Sequence, residues 1–160
     1  SGPWRNGPNS RAQRRPPNHD FRVAAEHATF SLAEVKRGVF PANGGTQRIV
    51  QQLPHAIAME LLLLGNTFDA TTALRWGLVN KIVKVDALLA NAQEYATRLA
   101  ANAPLAVQSA KELAIRSRDV DLPTGLRMEQ MMLRLLQGSH DVAEGTAAFA
   151  EKRQPSFVGK

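Results

Sequence analysis

The 160-residue chain has no cysteine, one tyrosine, two tryptophans and four histidines. Without thiols it can form neither disulfides nor thiolate metal sites, and the histidines show no H-x-x-x-H spacing for zinc. No purely apolar run is longer than the four leucines 61–64, far short of the roughly 20 residues that a membrane-spanning helix needs. No charged-then-apolar segment of the signal-peptide kind opens the chain. These absences lead to the expectation of a soluble, cytoplasmic protein with no metal site and no membrane span. Apolar residues make up 44% of the sequence, enough to fill the core of one ordinary domain.

A net charge of +6 suggests nucleic acid, but the charge is unevenly spread. Arg5, Arg11, Arg14 and Arg15 precede Asp20 and leave only +2 for residues 20–160. Residues 1–19, "SGPWRNGPNSRAQRRPPNH", contain no Leu, Ile, Val or Met and hold four of the nine prolines. Such a composition buries too little apolar surface to offset its ordering entropy, so a disordered tail is expected. A basic RNA-contacting arm is the sharper alternative, but no aromatic platform or RNA-binding motif accompanies it.

From Phe21 the pattern changes. "FRVAAEHATFSL" mixes β-branched and aromatic residues as one or two short strands do. Gly38, Pro41, Gly44 and Gly45 then punctuate a loop, and Pro54 begins a helix closed by Gly65. Asp69 is placed as the N-cap of a short helix ending at Gly77, and "LVNKIV" follows as a strand or extended connector. Asp86 is read as the N-cap of a helix with Leu88, Ala92, Tyr95 and Leu99 on one face, ended by Pro104. Further helices are expected over 105–118 and 123–137, the second with Leu126, Met132, Leu133 and Leu136 near one side and a Met128, Met131, Met132 cluster suited to core or interface. Asp141 and Glu144 are read as N-cap and N3 of a last helix that Pro155 stops.

Four pieces in this order, "DFRVAAEHATFSLAEVKRGVFPANGGTQRI", "AMELLLLGNTFDATTALRWGLVNKIV", "APLAVQSAKELA" and "EGTAAFAEKRQPSFVGK", resemble the C-terminal half of the enoyl-CoA hydratase/isomerase (crotonase) superfamily over about residues 20–160. The ending and "DVDLPTG" are also similar to hydratases that act on methylglutaconyl-CoA. The resemblance implies an α/β, crotonase-like fold, here the C-terminal part of the β-spiral core (20–100) followed by a helical trimerisation region (101–160). It implies chemistry on an acyl-CoA thioester, which is the substrate, with no separate cofactor. Association into a homo-trimer or hexamer through the C-terminal helices is implied as well.

Glu34, in "LAEV" where the family commonly has Pro-Glu, aligns with the second of two glutamates that share a water in the hydratases. From the residues alone it reads as a solvated carboxylate in a loop after a strand; the acid/base role comes from the resemblance. Lys152, in "AFAEKR", matches a lysine placed near the CoA phosphates of the adjacent subunit; by itself it is an exposed lysine favourable to the helix dipole. Leu133 stands where some members place an aromatic residue by the adenine. Phe149 and Phe157 are expected to be packing residues, and Gln47 and Arg48 to hold the loop. His27, His55 and His140 show no nucleophile and carboxylate at triad spacing. Where the family has a Gly-rich turn and helix with an oxyanion donor and the first glutamate, this chain has "GPNSRAQRRPPNH", so residues 1–19 look foreign to the family pattern. Little hydratase turnover is therefore expected from these 160 residues alone. The alternatives are an isomerase or other crotonase reaction, a non-catalytic oligomerisation partner, and an RNA-binding hydratase relative.

Overall fold

The computed structural model describes residues 19–160; the expected tail and its RNA-arm alternative lie almost entirely outside the described residues. The chain divides into two compact units, the first ending at Gln93 and the second running from Glu94 to Lys160.

The first unit carries two short strand pairs. β1 (Val23–Ala25) and β2 (Thr29–Phe30) come from the run read as strands, with Ala28 N–H donating to Ala25 O in the turn between them. β1 pairs in parallel with β4 (Lys81–Val83), Val23 opposite Lys81. β2 pairs antiparallel with β3 (Phe68–Asp69), which places Phe30 opposite Phe68 with ring centroids 5.6 Å apart. Arg22 staples the β4 edge. Its N–H donates to Asn80 Oδ1 at 2.8 Å, its carbonyl accepts Asn80 N–H, and its Nη1 donates to Leu78 O at 2.6 Å. Burial pulls the guanidinium's pKa down, and the charge of Asp20 opposes that shift.

Between the strands lie α1 (Gly45–Gln52), α2 (His55–Leu64) and α3 (Ala70–Arg75). α1 falls partly within the segment read as a loop. Gly44 takes the left-handed N-cap position with φ 83°, and Gly45 turns helical where a Cβ would stand 2.5 Å from Pro41 Cβ. Its two large apolar residues, Ile49 in the core and the exposed Val50, are adjacent in the chain, so no apolar repeat at i, i+3 or i+4 marks the helix. α2 ends as expected at Gly65, in the left-handed region that non-glycine residues rarely adopt. Asp69 caps α3 as expected, its carboxylate accepting Thr72 N–H at 2.8 Å. Ile49 and Leu78 are fully buried, with Phe30, Leu32, Ala58, Leu61 and Ala73 in the same cluster.

α4 (Leu88–Ala100) runs through the division between the units. Asp86 is not its N-cap. It lies in the 3-10 turn Val85–Ala87, which starts after the extended Lys84 and tightens the chain before the α-helix begins. Of the face read on α4, Leu88 and Tyr95 are half-buried, whereas Ala92 and Leu99 are exposed. Pro104 does not end α4, which stops at Ala100; it opens α5 (Pro104–Arg116), where its fixed φ suits the first helical position. α6 (Leu122–Gln137) is capped by Asp121 and α7 (His140–Glu151) by Ser139. No helix among the described residues is long and apolar enough to cross a membrane.

Candidate active site

Glu34 lies in a 3-10 helix, Ala33–Arg37, and not in an open loop. Leu32 on its N-terminal side is buried in the core, and Gly38 on the other side is left-handed with φ 76°. Gly38 N–H donates to Val35 O and Val39 N–H to Glu34 O, both at 3.3 Å, so the turn closes on its own carbonyls. The end of α2 braces it from beside. A Cβ on Gly65 would lie 3.1 Å from Val35 Cγ2, 3.2 Å from Ala33 Cα and 3.3 Å from Leu32 O, so the backbones approach there at glycine distance. Lys36 Nζ, two residues on from Glu34, donates to Asn66 Oδ1 at 3.2 Å. The Glu34 side chain is half-buried, and its carboxylate has no hydrogen-bond or ion-pair partner among the described residues. A carboxylate so placed has its lone pairs open to a water or a substrate proton. The neighbouring glycines serve geometry, and Arg48 holds the loop as expected, its Nη1 donating to Asn43 O at 3.3 Å.

The other two expected contacts belong to the second unit. Leu133 stands exposed on α6, and Lys152 is the exposed C-cap residue of α7. Lys152 takes φ 54° and ψ 37°, the one non-glycine residue with positive φ among the described residues. Phe157 packs as expected, with its ring where a Cβ on Gly145 would find it at 3.5 Å. Phe149 does not: it is 87% exposed, because it points off α7 away from the small residues, such as Ala148, that face inward.

Two carboxylates on α7 do work that capping patterns in the sequence concealed. Asp141 is not the N-cap; that place is Ser139, whose Oγ accepts Val142 N–H. One residue into the helix, Asp141 is only 3% exposed and accepts Val158 N–H at 2.8 Å and Gly159 N–H at 2.9 Å, while its own N–H donates to Lys160 O. Glu144 accepts both Arg153 Nη groups, at 2.6 and 2.8 Å, and Ser156 N–H at 2.8 Å. The signal that pointed to this was present as Asp-x-x-Glu followed by Arg-x-Pro-Ser, but its partners come from beyond the helix end.

The Arg153 guanidinium, then the Ser156 N–H, hold the Glu144 carboxyl down from 4.5 to about 2. Because the folded value lies below the free one, the unfolded chain takes up the proton first. The clasp therefore contributes in full above pH 4.5 and is lost as pH falls toward about 2. The amide of Ser156 is expected to lose exchange protection through that window. A protected Ser156 amide at and below pH 2, with the helices intact, would contradict the assignment.

The sequence and the fold have counterparts in known proteins. The family model for enoyl-CoA hydratase/isomerase matches residues 18–160. Carnitinyl-CoA dehydratase from Salmonella arizonae is 41% identical over 144 residues, covering 88% of this chain and 55% of that protein. (E)-benzylidenesuccinyl-CoA hydratase from Thauera aromatica is 39% identical over 140 residues, with the same coverage of 88% and 55%. The structure of enoyl-CoA hydratase from Bacillus anthracis matches with a TM-score of 0.85 at 40% identity, covering 88% of this chain and 55% of that one. The crystal structure of enoyl-CoA hydratase from Mycobacterium tuberculosis H37Rv gives 0.84 at 38% identity, covering 88% and 56%. The chain spans about half the length of the curated relatives it matches. Its α/β architecture is thus crotonase-like over nearly all the described residues. On the strength of the family match and these relatives together, the chain belongs to the enoyl-CoA hydratase/isomerase family.

Proposed function

We propose that the protein carrying this chain is an acyl-CoA enzyme of the enoyl-CoA hydratase type, with Glu34 as an acid/base. The observation that carries this reading is a carboxylate without a partner among the described residues, on a 3-10 turn held at both ends and braced by Gly65. In the reaction the oxygen of water bonds to the β-carbon of a 2-enoyl thioester and the C=C electron pair moves toward the thioester oxygen. The α-carbon then takes a proton, so the net change is addition of one water. Glu34 and a second carboxylate together remove one proton from the water and supply one to the α-carbon. Backbone N–H groups facing the thioester oxygen stabilise the charge that develops there. The acyl-CoA is the substrate, and the reading requires no resident cofactor.

The test is loss of the conjugated thioester absorbance of crotonyl-CoA, followed alongside 3-methylglutaconyl-CoA because of the likeness at the C-terminal end. Hydration of either supports the reading. Movement of the double bond without hydration replaces it with an isomerase, and no turnover by an intact oligomer of a protein that carries this chain at the full length of its relatives replaces it with a non-catalytic partner. The same assay tests the expectation of little turnover from the 160 residues alone, which robust crotonyl-CoA hydration by them would sink.

The reading includes association through α5–α7 into a trimer or hexamer, with Lys152 at the end of α7 and Leu133 on α6 facing the CoA of a neighbouring copy. In support, Asp141 and Ala148 are the buried residues among those described in the second unit. Leu126, Met131, Leu133, Leu135 and Phe149 stay between 49% and 87% exposed, large apolar side chains that association would cover. Sedimentation is expected to give three or six copies; a monomer at micromolar concentration would count against it.

A further inference from the structure

The left-handed residue at the end of α7 is a lysine, where glycine is the usual occupant because a Cβ crowds the following carbonyl oxygen, and asparagine the next through its local hydrogen bonds. Such a conformation persists when the surroundings over-determine it, and it collects at places the protein uses. Here the surroundings are visible. Arg153 N–H donates to Ala148 O and Lys152 N–H to Phe149 O, which closes the turn. The Arg153 side chain then reaches back along the helix. Its Nη groups grip both oxygens of Glu144, and its Nε donates to Glu151 Oε2 at 2.6 Å. Glu144 also accepts Ser156 N–H, so the residues on either side of Lys152 are tied to α7.

These bonds divide the two cations of the turn. Arg153 is committed to two carboxylates, Glu144 and Glu151. The Lys152 ammonium has no partner among the described residues and stands exposed at the tip. A structural C-cap would be served better by glycine, which relieves the crowding. The arrangement instead fixes the backbone at Lys152 and leaves its charge unneutralised.

We propose that Glu144 and Arg153 are positioning residues for Lys152, locking the left-handed turn so that its ammonium meets a phosphate of coenzyme A from a fixed backbone. This inference rests on the reading of Lys152 as a CoA contact. Neither positioning residue touches the ligand. Their effect on binding should therefore pass through the lysine and vanish when the lysine is removed.

The experiment is a double-mutant cycle on Kd for coenzyme A, measured with the full protein. Lys152→Ala is expected to weaken binding about tenfold, the scale of one charge-assisted contact. Glu144→Gln is expected to weaken it about threefold or more when Lys152 is present and to change nothing in the Lys152→Ala background. Lys152→Gly should bind as weakly as Lys152→Ala while melting at a higher temperature, because it keeps the turn without the crowding. An equal effect of Glu144→Gln in both backgrounds makes the clasp merely structural and overturns the proposal. So does no effect of Glu144→Gln when Lys152→Ala weakens binding, and in that case the CoA reading survives. If Lys152→Ala leaves Kd unchanged, or the wild type binds no coenzyme A, the CoA reading itself fails and takes the inference with it. Should Glu144→Gln not fold, Arg153→Lys opens the same bidentate grip and enters the cycle in its place.

Discussion

Glu34→Gln is expected to lower kcat for crotonyl-CoA hydration by about 10² to 10⁴-fold, the range that a positioned acid/base contributes. The form to assay is whichever hydrates crotonyl-CoA, the 160 residues alone or a longer protein that contains them. Glutamine keeps the size and hydrogen-bonding oxygen of the side chain and removes its capacity to exchange a proton. With no partner of the Glu34 carboxylate among the described residues to disturb, the fold should be untouched. KM for the acyl-CoA should move little, because the loss falls on the transition state and not on ground-state binding. A variant with near wild-type kcat would remove Glu34 from the chemistry. A variant whose KM rises while kcat holds would make it a binding residue.

Gly65→Ala is expected to destabilise the protein by about 2 to 5 kcal/mol, from two sources that a control separates. The first is the left-handed backbone, φ 59°, which costs an alanine roughly 1 to 2 kcal/mol. The second is overpacking, since the new methyl would meet the backbone of Ala33 and Leu32 at 3.2 and 3.3 Å, at a cost of about 1 to 3 kcal/mol. Gly77 shares the first source, with φ 74°, but has nothing within 4 Å of where its Cβ would stand. Gly77→Ala should therefore lose only the conformational part. Because the overpacking pushes against the turn that carries Glu34, Gly65→Ala should also lower kcat at temperatures where it remains folded, and Gly77→Ala should not. Equal urea midpoints for the two variants would remove the close approach from the explanation.

What could be read from the sequence depended on whether its signal was local. α2, with an apolar run between Pro54 and Gly65, and α3, capped by Asp69, were legible because their start and stop residues act within a few positions. α1 was not: its one fully buried large side chain is Ile49, and the Gly44–Gly45 pair that opens it is also a turn signal. Asp141 illustrates the converse failure. The pattern Asp-x-x-Glu has capping-box form, yet its use depends on main-chain N–H groups at 158 and 159 that no local rule connects to it. The Glu34 position was found by resemblance, whereas the 3-10 turn and its brace on Gly65 emerge only when the end of α2 lies beside it. The left-handed Lys152 gave no sign at all, since lysine in the last turn of a helix is ordinary.

The parallel pairing of β1 with β4 bears on how the first unit comes together in time. Arg22 and Asn80, bonded at its edge, are 58 residues apart, so no hairpin can nucleate the pair and the entropy of a long loop must be lost before the first bond returns anything. Helices relax in about a microsecond or less, and α1, α2 and α3 all lie within that loop. Their early formation shortens the flexible chain to be closed, which makes the strand pair a late event and the intervening helices its preparation.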